Sequence, residues 1–161
     1  MNDCRARSHA SRFKREPHTA PATRRATTNK AQYPDAIACL QDVRALGLRV
    51  GIVGNQTAAM ERWAQTVALP ADVISSSASL GVKKPDPQFF HRVVELAGCT
   101  PAEVAYVGDR VDNDVLPGAA AGLVAIHVRR GPWGRLQRTP PEATLGVDDL
   151  ASVPQALASL A

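Results

Sequence analysis

Lys84, Asp109 and Asp114 are the residues whose types and spacing could do chemistry together. Lys84 lies in Gly81-Val82-Lys83-Lys84-Pro85-Asp86-Pro87, and the two acids lie in Val107-Gly108-Asp109-Arg110-Val111-Asp112-Asn113-Asp114. Asp109 follows the apolar run Val104–Val107 and Gly108, a glycine that lets the backbone turn sharply where a strand ends. Asp114 comes five residues later, early in the helix expected there. Together they could present carboxylate oxygens to one hydrated Mg²⁺, which takes one or two carboxylates and keeps several waters. Taken singly, Asp109 also suits a plain turn, and Asp114 suits a helix start, where the dipole favours an acid. Asp112 reads as a solvated turn residue or a cap. Pro85 pushes Lys84 towards extended backbone, which aims its ammonium, a compact point charge suited to a phosphate or a carboxylate. Alone, Lys83 and Lys84 also read as solvated surface lysines. Gly54 and Asn55 open the junction Gly54-Asn55-Gln56-Thr57, where exposed N–H groups could take an anion. By itself that signal is weak, because any strand-to-helix turn resembles it.

These residues need elements to hold them. Pro34 suits a first helical turn, Ile37, Leu40 and Val43 recur on one face, and Gly47 supplies a stop. Leu48–Gly54 reads as a buried strand. Thr57 can cap a helix with Met60, Trp63 and Val67 at helical spacing, and 72–75 reads as a short strand. Asp86 and Pro87 mark a cap and first helical residue for a helix carrying Phe89, Phe90, Val93 and Val94, closed by Gly98. Thr100-Pro101-Ala102-Glu103 has capping-box spacing. Strands are expected at Val104–Val107 and Leu123–Val128, with a short helix over 113–121 closed by Gly122. Residues 129–146 read as a long loop, and 148–160 as a last helix broken or restarted at Pro154. Strands alternating with helices predict a parallel sheet covered by helices. In such sheets ligands sit beyond the carboxyl ends of the strands, where Gly54, Asn55, Lys84 and Asp109 all fall.

The 161 residues suffice for one domain with a real core. No apolar run is long enough to span a bilayer, and no signal peptide is visible at the start. Cys4, Cys39 and Cys99 are odd in number and widely spaced, so neither a disulfide framework nor a zinc site is expected, and a cytoplasmic setting is. The net charge of +4 conceals an asymmetry: residues 1–33 carry eight Lys/Arg against Asp3 and Glu16. The first 36 residues contain no Leu, Ile or Val, so 1–32 reads as a basic disordered tail and 33–161 as the folded domain. Clustered basic residues could neutralise nucleic-acid phosphates or a membrane surface, but a solvated tail, or an extension foreign to the usual reading frame, is preferred. No membrane or nucleic-acid partner is expected.

The ordered set Leu48–Asn55, Gly81–Pro87, Val107–Asp114 and Ala119-Ala120-Ala121-Gly122 resembles the haloacid dehalogenase-like hydrolase superfamily. The resemblance implies an α/β, Rossmann-like parallel sheet with helices on both faces, and Mg²⁺-dependent phosphatase-type hydrolysis of a small phosphorylated molecule. It implies Lys84 as the lysine orienting nucleophile and phosphate, Asp109 and Asp114 as metal-binding acids, and Gly54 with Asn55 as phosphate contacts. Family members usually place Ser or Thr where Gly54 stands. The family also begins with a strand ending in Asp-x-Asp, its nucleophile, followed usually by a cap domain. Here Asp3 stands alone, Asp35 begins a helix and Asp42 lies within one. The core is therefore expected to be incomplete, without a cap, and missing its central first strand between Leu48–Gly54 and Val104–Val107. That gap would be closed by pairing those two strands or by a strand from a partner chain. The isolated chain is expected to be inactive, or alternatively to serve as a non-catalytic binding or interaction module.

Overall fold

The computed structural model describes residues 34–160, so the basic segment 1–32 lies outside the described residues. The elements run α1 (Ala36–Ala45), β1 (Gly51–Gly54), α2 (Ala58–Thr66), β2 (Val73–Ser76), α3 (Ser77–Leu80), α4 (Pro87–Ala97), a 3₁₀ turn (Pro101–Glu103), β3 (Ala105–Gly108), a π-helical turn (Val111–Val115), α5 (Leu116–Ala120), β4 (Val124–Val128), α6 (Gly131–Leu136), β5 (Leu145–Val147) and α7 (Val153–Ala158). All strand pairs are parallel. They form two sheets, β1-β2 and β3-β4-β5, and β1 does not pair with β3. Among the described residues the strands expected at Leu48–Gly54 and Val104–Val107 are therefore not paired with each other, and no described strand lies between them.

Local chemistry explains most boundaries. Thr57 accepts a hydrogen bond from the Met60 amide and Asp86 from the Gln88 amide, relieving donors that a first helical turn leaves open. Gly98 ends α4 in the left-handed region at φ 67°, which suits a residue without Cβ. Glu103 accepts from the Thr100 amide at 2.9 Å, as the capping-box spacing predicts. Asp35 does more than begin α1. It accepts from Arg130 and from the Leu150 amide, clipping the first helix to the chain near its end.

Two apolar layers sandwich the larger sheet. On one side Phe89, Phe90, Val93, Val104, Tyr106 and Leu123 form a core against which Val53 of β1 also packs. On the other, Cys39, Ile126, Val128, Val147 and Val153 join α1 and α7 to β4 and β5. The rings of Phe89, Phe90 and Tyr106 meet edge to face at 5.2–6.5 Å, the arrangement their quadrupoles favour.

Three expectations are corrected. Residues 129–146 are not a plain loop, because they contain α6 and β5. The glycines and prolines obscured a helix that carries Pro132 in its first turn, where a missing N–H costs nothing. The helix expected over 113–121 is a π turn followed by α5. Pro117 lacks an N–H to donate, so a regular helix cannot run through it. Cys99 is disulfide-bonded, whereas Cys39 is a free, buried thiol. Wide spacing along a chain sets no limit on which cysteines meet in space.

Candidate functional site

The carboxyl ends of β1 and β3 bring the expected residues together. Asn55 follows β1, and its side-chain amide grips the Lys84 backbone in both directions. Its Nδ2 donates to the Lys84 carbonyl at 3.0 Å, and its Oδ1 accepts from the Lys84 amide at 2.8 Å. The expected phosphate contact is thus occupied in fixing the loop that carries the lysine. The Lys84–Pro85 peptide is cis. The Lys84 side chain runs inward to 12% exposure, and its Nζ meets Asp114 Oδ1 at 2.5 Å. Asp114 is itself only 4% exposed.

The π turn explains how a helical acid reaches that position. Both the Asp114 and Val115 amides donate to the Arg110 carbonyl, at 2.8 and 3.2 Å. This widened loop turns the Asp114 carboxylate back over the strand end, where Oδ2 accepts from the Arg110 amide at 3.1 Å. Such bulges recur at functional sites. Asp109 lies immediately after β3, and both Asp109 and Asp114 act electrostatically on His127 of the neighbouring strand. Asp112 is exposed, as expected, but it is also engaged. It holds the Arg110 guanidinium through two contacts and accepts from Gln137, whose other end takes the Val111 amide. Arg110 also lies over Trp133, 4.8 Å from the ring centroid. The turn that carries Asp114 is thereby braced by α6 and the residue after it.

Two functional neighbours escaped sequence reasoning. Tyr106 is buried on β3, and its hydroxyl donates to the Val53 carbonyl of β1 at 3.4 Å. Its ring and that of Phe89 flank the Lys84 ammonium at 5.4 and 5.8 Å. A tyrosine in an otherwise apolar strand was the available signal, because a buried hydroxyl usually needs a partner. His127 is fully buried on β4, with Nδ1 against Thr139 Oγ1 at 2.9 Å and no hydrogen-bond partner for Nε2 among the described residues. A histidine inside the apolar run Leu123–Val128 was the corresponding sign.

Burial disfavours the Lys84 ammonium, but the Tyr106 and Asp114 charges and hydrogen bonds outweigh it and raise its pKa above the ordinary lysine value. Burial likewise raises the Tyr106 hydroxyl, against the pull of Lys84. Both groups hold their protons more tightly folded than unfolded. Their contribution to stability is complete below about pH 10, where neither unfolded group has titrated, and falls as pH rises through the folded values. The melting temperature is therefore expected to drop above about pH 10, and to drop less in Tyr106→Phe. Thermal melts between pH 8 and 11 check this; a melting temperature that holds or rises across that window contradicts it.

Among the described residues no group of three or more His, Cys, Asp and Glu could hold a metal ion. Asp109 and Asp114 are hard oxygen donors, a ligand type that Mg²⁺ takes. No helix among the described residues is long and apolar enough to cross a membrane.

Comparison with known proteins agrees with this geometry. The family model of the haloacid dehalogenase-like hydrolases matches residues 8–122, a span that begins inside the basic segment. A glyceraldehyde 3-phosphate phosphatase of Methanopyrus kandleri is 33% identical over 105 residues, covering 63% of this chain and 45% of that protein. A phosphoserine phosphatase of Thermus thermophilus is 33% identical over 154 residues, covering 92% of this chain and 56% of that one. The crystal structure of a phosphatase of the same superfamily from Thermococcus onnurineus superposes with a TM-score of 0.67 at 26% identity, over 78% of this chain and 57% of its own. The chain thus spans about half the length of the curated relatives it matches.

Proposed function

The chain belongs to the haloacid dehalogenase-like hydrolase family, and from that premise we propose that it carries the lysine-and-acid half of a Mg²⁺-dependent phosphatase site. The substrate would be a small phosphorylated molecule, the class to which the named substrates of the two phosphatase relatives belong. The observation that carries this reading is the buried Lys84–Asp114 pair, set on the turn that follows β3 and clamped through Asn55 to the end of β1.

Each residue then has a defined task. Lys84 presents a fixed positive charge to a phosphoryl oxygen, its backbone held by Asn55 and its ammonium steadied by Asp114 and two aromatic faces. Asp109 and Asp114 would hold the Mg²⁺, which when bound draws charge from the phosphoryl group. The backbone N–H groups after Gly54 offer further donors. No second carboxylate stands beside Lys84 among the described residues to act as nucleophile. Without one, the described residues offer nothing to accept the phosphoryl group covalently, so on this reading they are inactive by themselves.

Two measurements test the reading. Inorganic phosphate with Mg²⁺ should bind the chain weakly and lose about tenfold in affinity on Asp109→Asn, the size of one charge-assisted interaction. Phosphate release from p-nitrophenyl phosphate, glyceraldehyde 3-phosphate and phosphoserine should not exceed that of an Asp109→Ala control. Gly54 offers a gain-of-function check, because a Cβ there would meet nothing within 4 Å. Gly54→Ser should therefore fit and tighten phosphate binding. Phosphate binding that ignores Asp109, or Mg²⁺-dependent turnover abolished by Asp109→Ala, would overturn respectively the site assignment and the inactivity.

A further inference from the structure

Among the described residues, one buried side-chain nitrogen lacks a hydrogen-bond partner, Nε2 of His127. Such atoms are rare, and each needs a reason. The ring belongs to a row across the larger sheet, in register with Gly108 of β3 on one side and Gly146 of β5 on the other. Register partners share one face of a sheet, so two glycines flank the imidazole. Both vacant places are filled from outside the sheet. A Cβ on Gly108 would strike the Asp114 carboxylate, and a Cβ on Gly146 would lie 2.8 Å from Thr139 Oγ1. Asp114 and Thr139 therefore come down on either side of the ring. Thr139 engages Nδ1 at 2.9 Å. Nε2 is left to the acid turn: Asp109 follows the ring's register partner Gly108, and its backbone and its charge both favour a hydrogen on the ring.

We propose that His127 is a positioning residue for Asp109: Nδ1 accepts from the Thr139 hydroxyl, and the ring hydrogen sits on Nε2, directed at the Asp109 backbone carbonyl. The charges around the ring select this tautomer. A fully buried imidazole keeps a single hydrogen, because an uncompensated charge there is costly. With that hydrogen on Nδ1, the Nε2 lone pair would stand in the field of two carboxylates, Asp109 and Asp114, where little water screens it. With the hydrogen on Nε2, its positive end meets that field. Thr139 permits the choice, since a hydroxyl rotates to donate or to accept. Asp109 is thereby held as a ligand, in the way outer partners orient the groups that bind a metal. That consequence rests on the phosphatase reading; the position of the hydrogen does not.

The test uses the whole chain labelled with ¹⁵N-histidine, and nuclear magnetic resonance of the ring nitrogens. Thr139→Val picks out His127 among the four histidines, because it should move the Nδ1 signal. In the parent chain Nε2 should carry the hydrogen and Nδ1 should be bare. Calorimetry with Mg²⁺ and inorganic phosphate gives the second readout. His127→Leu should lose about 10–100-fold in Mg²⁺-dependent phosphate affinity, the usual cost of removing an outer partner. His127→Gln can place an N–H where Nε2 has one, and it should recover most of that loss. A merely structural role would instead make binding follow the urea midpoint of each variant. Where His127→Leu does not fold, the ring signals of the parent chain decide. A hydrogen on Nδ1, undiminished binding in His127→Leu, or equal losses in His127→Leu and His127→Gln would overturn the proposal. A hydrogen on Nε2 in a chain that binds no phosphate with Mg²⁺ would leave the bond to Asp109 standing and sink the phosphatase reading; phosphate binding with the hydrogen on Nδ1 would do the reverse.

Discussion

Lys84→Ala is expected to remove about 3–5 kcal/mol of folding stability, the cost of leaving one member of a buried ion pair uncompensated. The loss falls on Asp114, which would remain at 4% exposure with the Arg110 amide as its remaining hydrogen-bond donor. A domain has about 5–15 kcal/mol in total, so the variant should unfold at much lower denaturant. Asp114→Asn should cost less. The asparagine oxygen can still accept from Arg110, and the Lys84 ammonium keeps the faces of Phe89 and Tyr106, a cation–π environment. The double variant Lys84→Met with Asp114→Asn should also lose less than Lys84→Ala, because no buried charge is left alone. Urea denaturation followed through Trp63 and Trp133 fluorescence orders the three. If Lys84→Ala stays within about 1 kcal/mol of the parent chain, the pair is solvated in solution and the buried-site account fails.

The order of these costs reflects what the sequence could and could not show. Lys84 and Asp109 stood out in the sequence because each stands beside a residue with a strong backbone preference, Pro85 or Gly108, and Asp114 because it comes five residues after Asp109, early in an expected helix. That β1 and β3 do not pair with each other was legible only through the family resemblance, since nothing in Gly51–Gly54 or Ala105–Gly108 states which strands they adjoin. Other features were not legible in principle. Asn55 looked like an anion contact because a strand-to-helix turn exposes donors, yet a loop 29 residues later takes both ends of its amide. Asp112 is exposed as it looked, but its bond to Gln137, 25 residues away, could not be read from the sequence. α6 was hidden because Gly131, Pro132 and Gly134 are loop residues by propensity, whereas packing decides: a Cβ on Gly134 would collide with the Val128 carbonyl. Local chemistry fixes caps and turns. Long-range pairing assigns polar side chains their partners, and spacing along the chain does not encode it.

Gly108→Ala is expected to be at least as damaging as Lys84→Ala, although it adds one methyl group and removes no contact. A Cβ at residue 108 would lie 2.6 Å from Asp114 Cγ and 2.7 Å from its Oδ2, and closer still to its Cβ. Neither side can yield cheaply. β3 is pinned there by its register with β4, where Gly108 faces His127, a side chain that is itself fully buried. The π turn is pinned by two amides on one carbonyl. Overpacking of this kind usually costs about 1–3 kcal/mol. Here the side chain that must move is a buried carboxylate, so its displacement also breaks the Lys84 pair, for a combined loss of about 3–5 kcal/mol or more. Gly118→Ala is the matched control. Its Cβ would meet the Phe90 ring at 3.5 Å, an ordinary contact, and alanine suits a helix better than glycine, so stability should change by no more than about 1 kcal/mol in either direction. Urea midpoints of the two variants decide the matter. Equal midpoints would mean that Asp114 does not sit over the end of β3, and with it would go the placement of the acid beside the lysine.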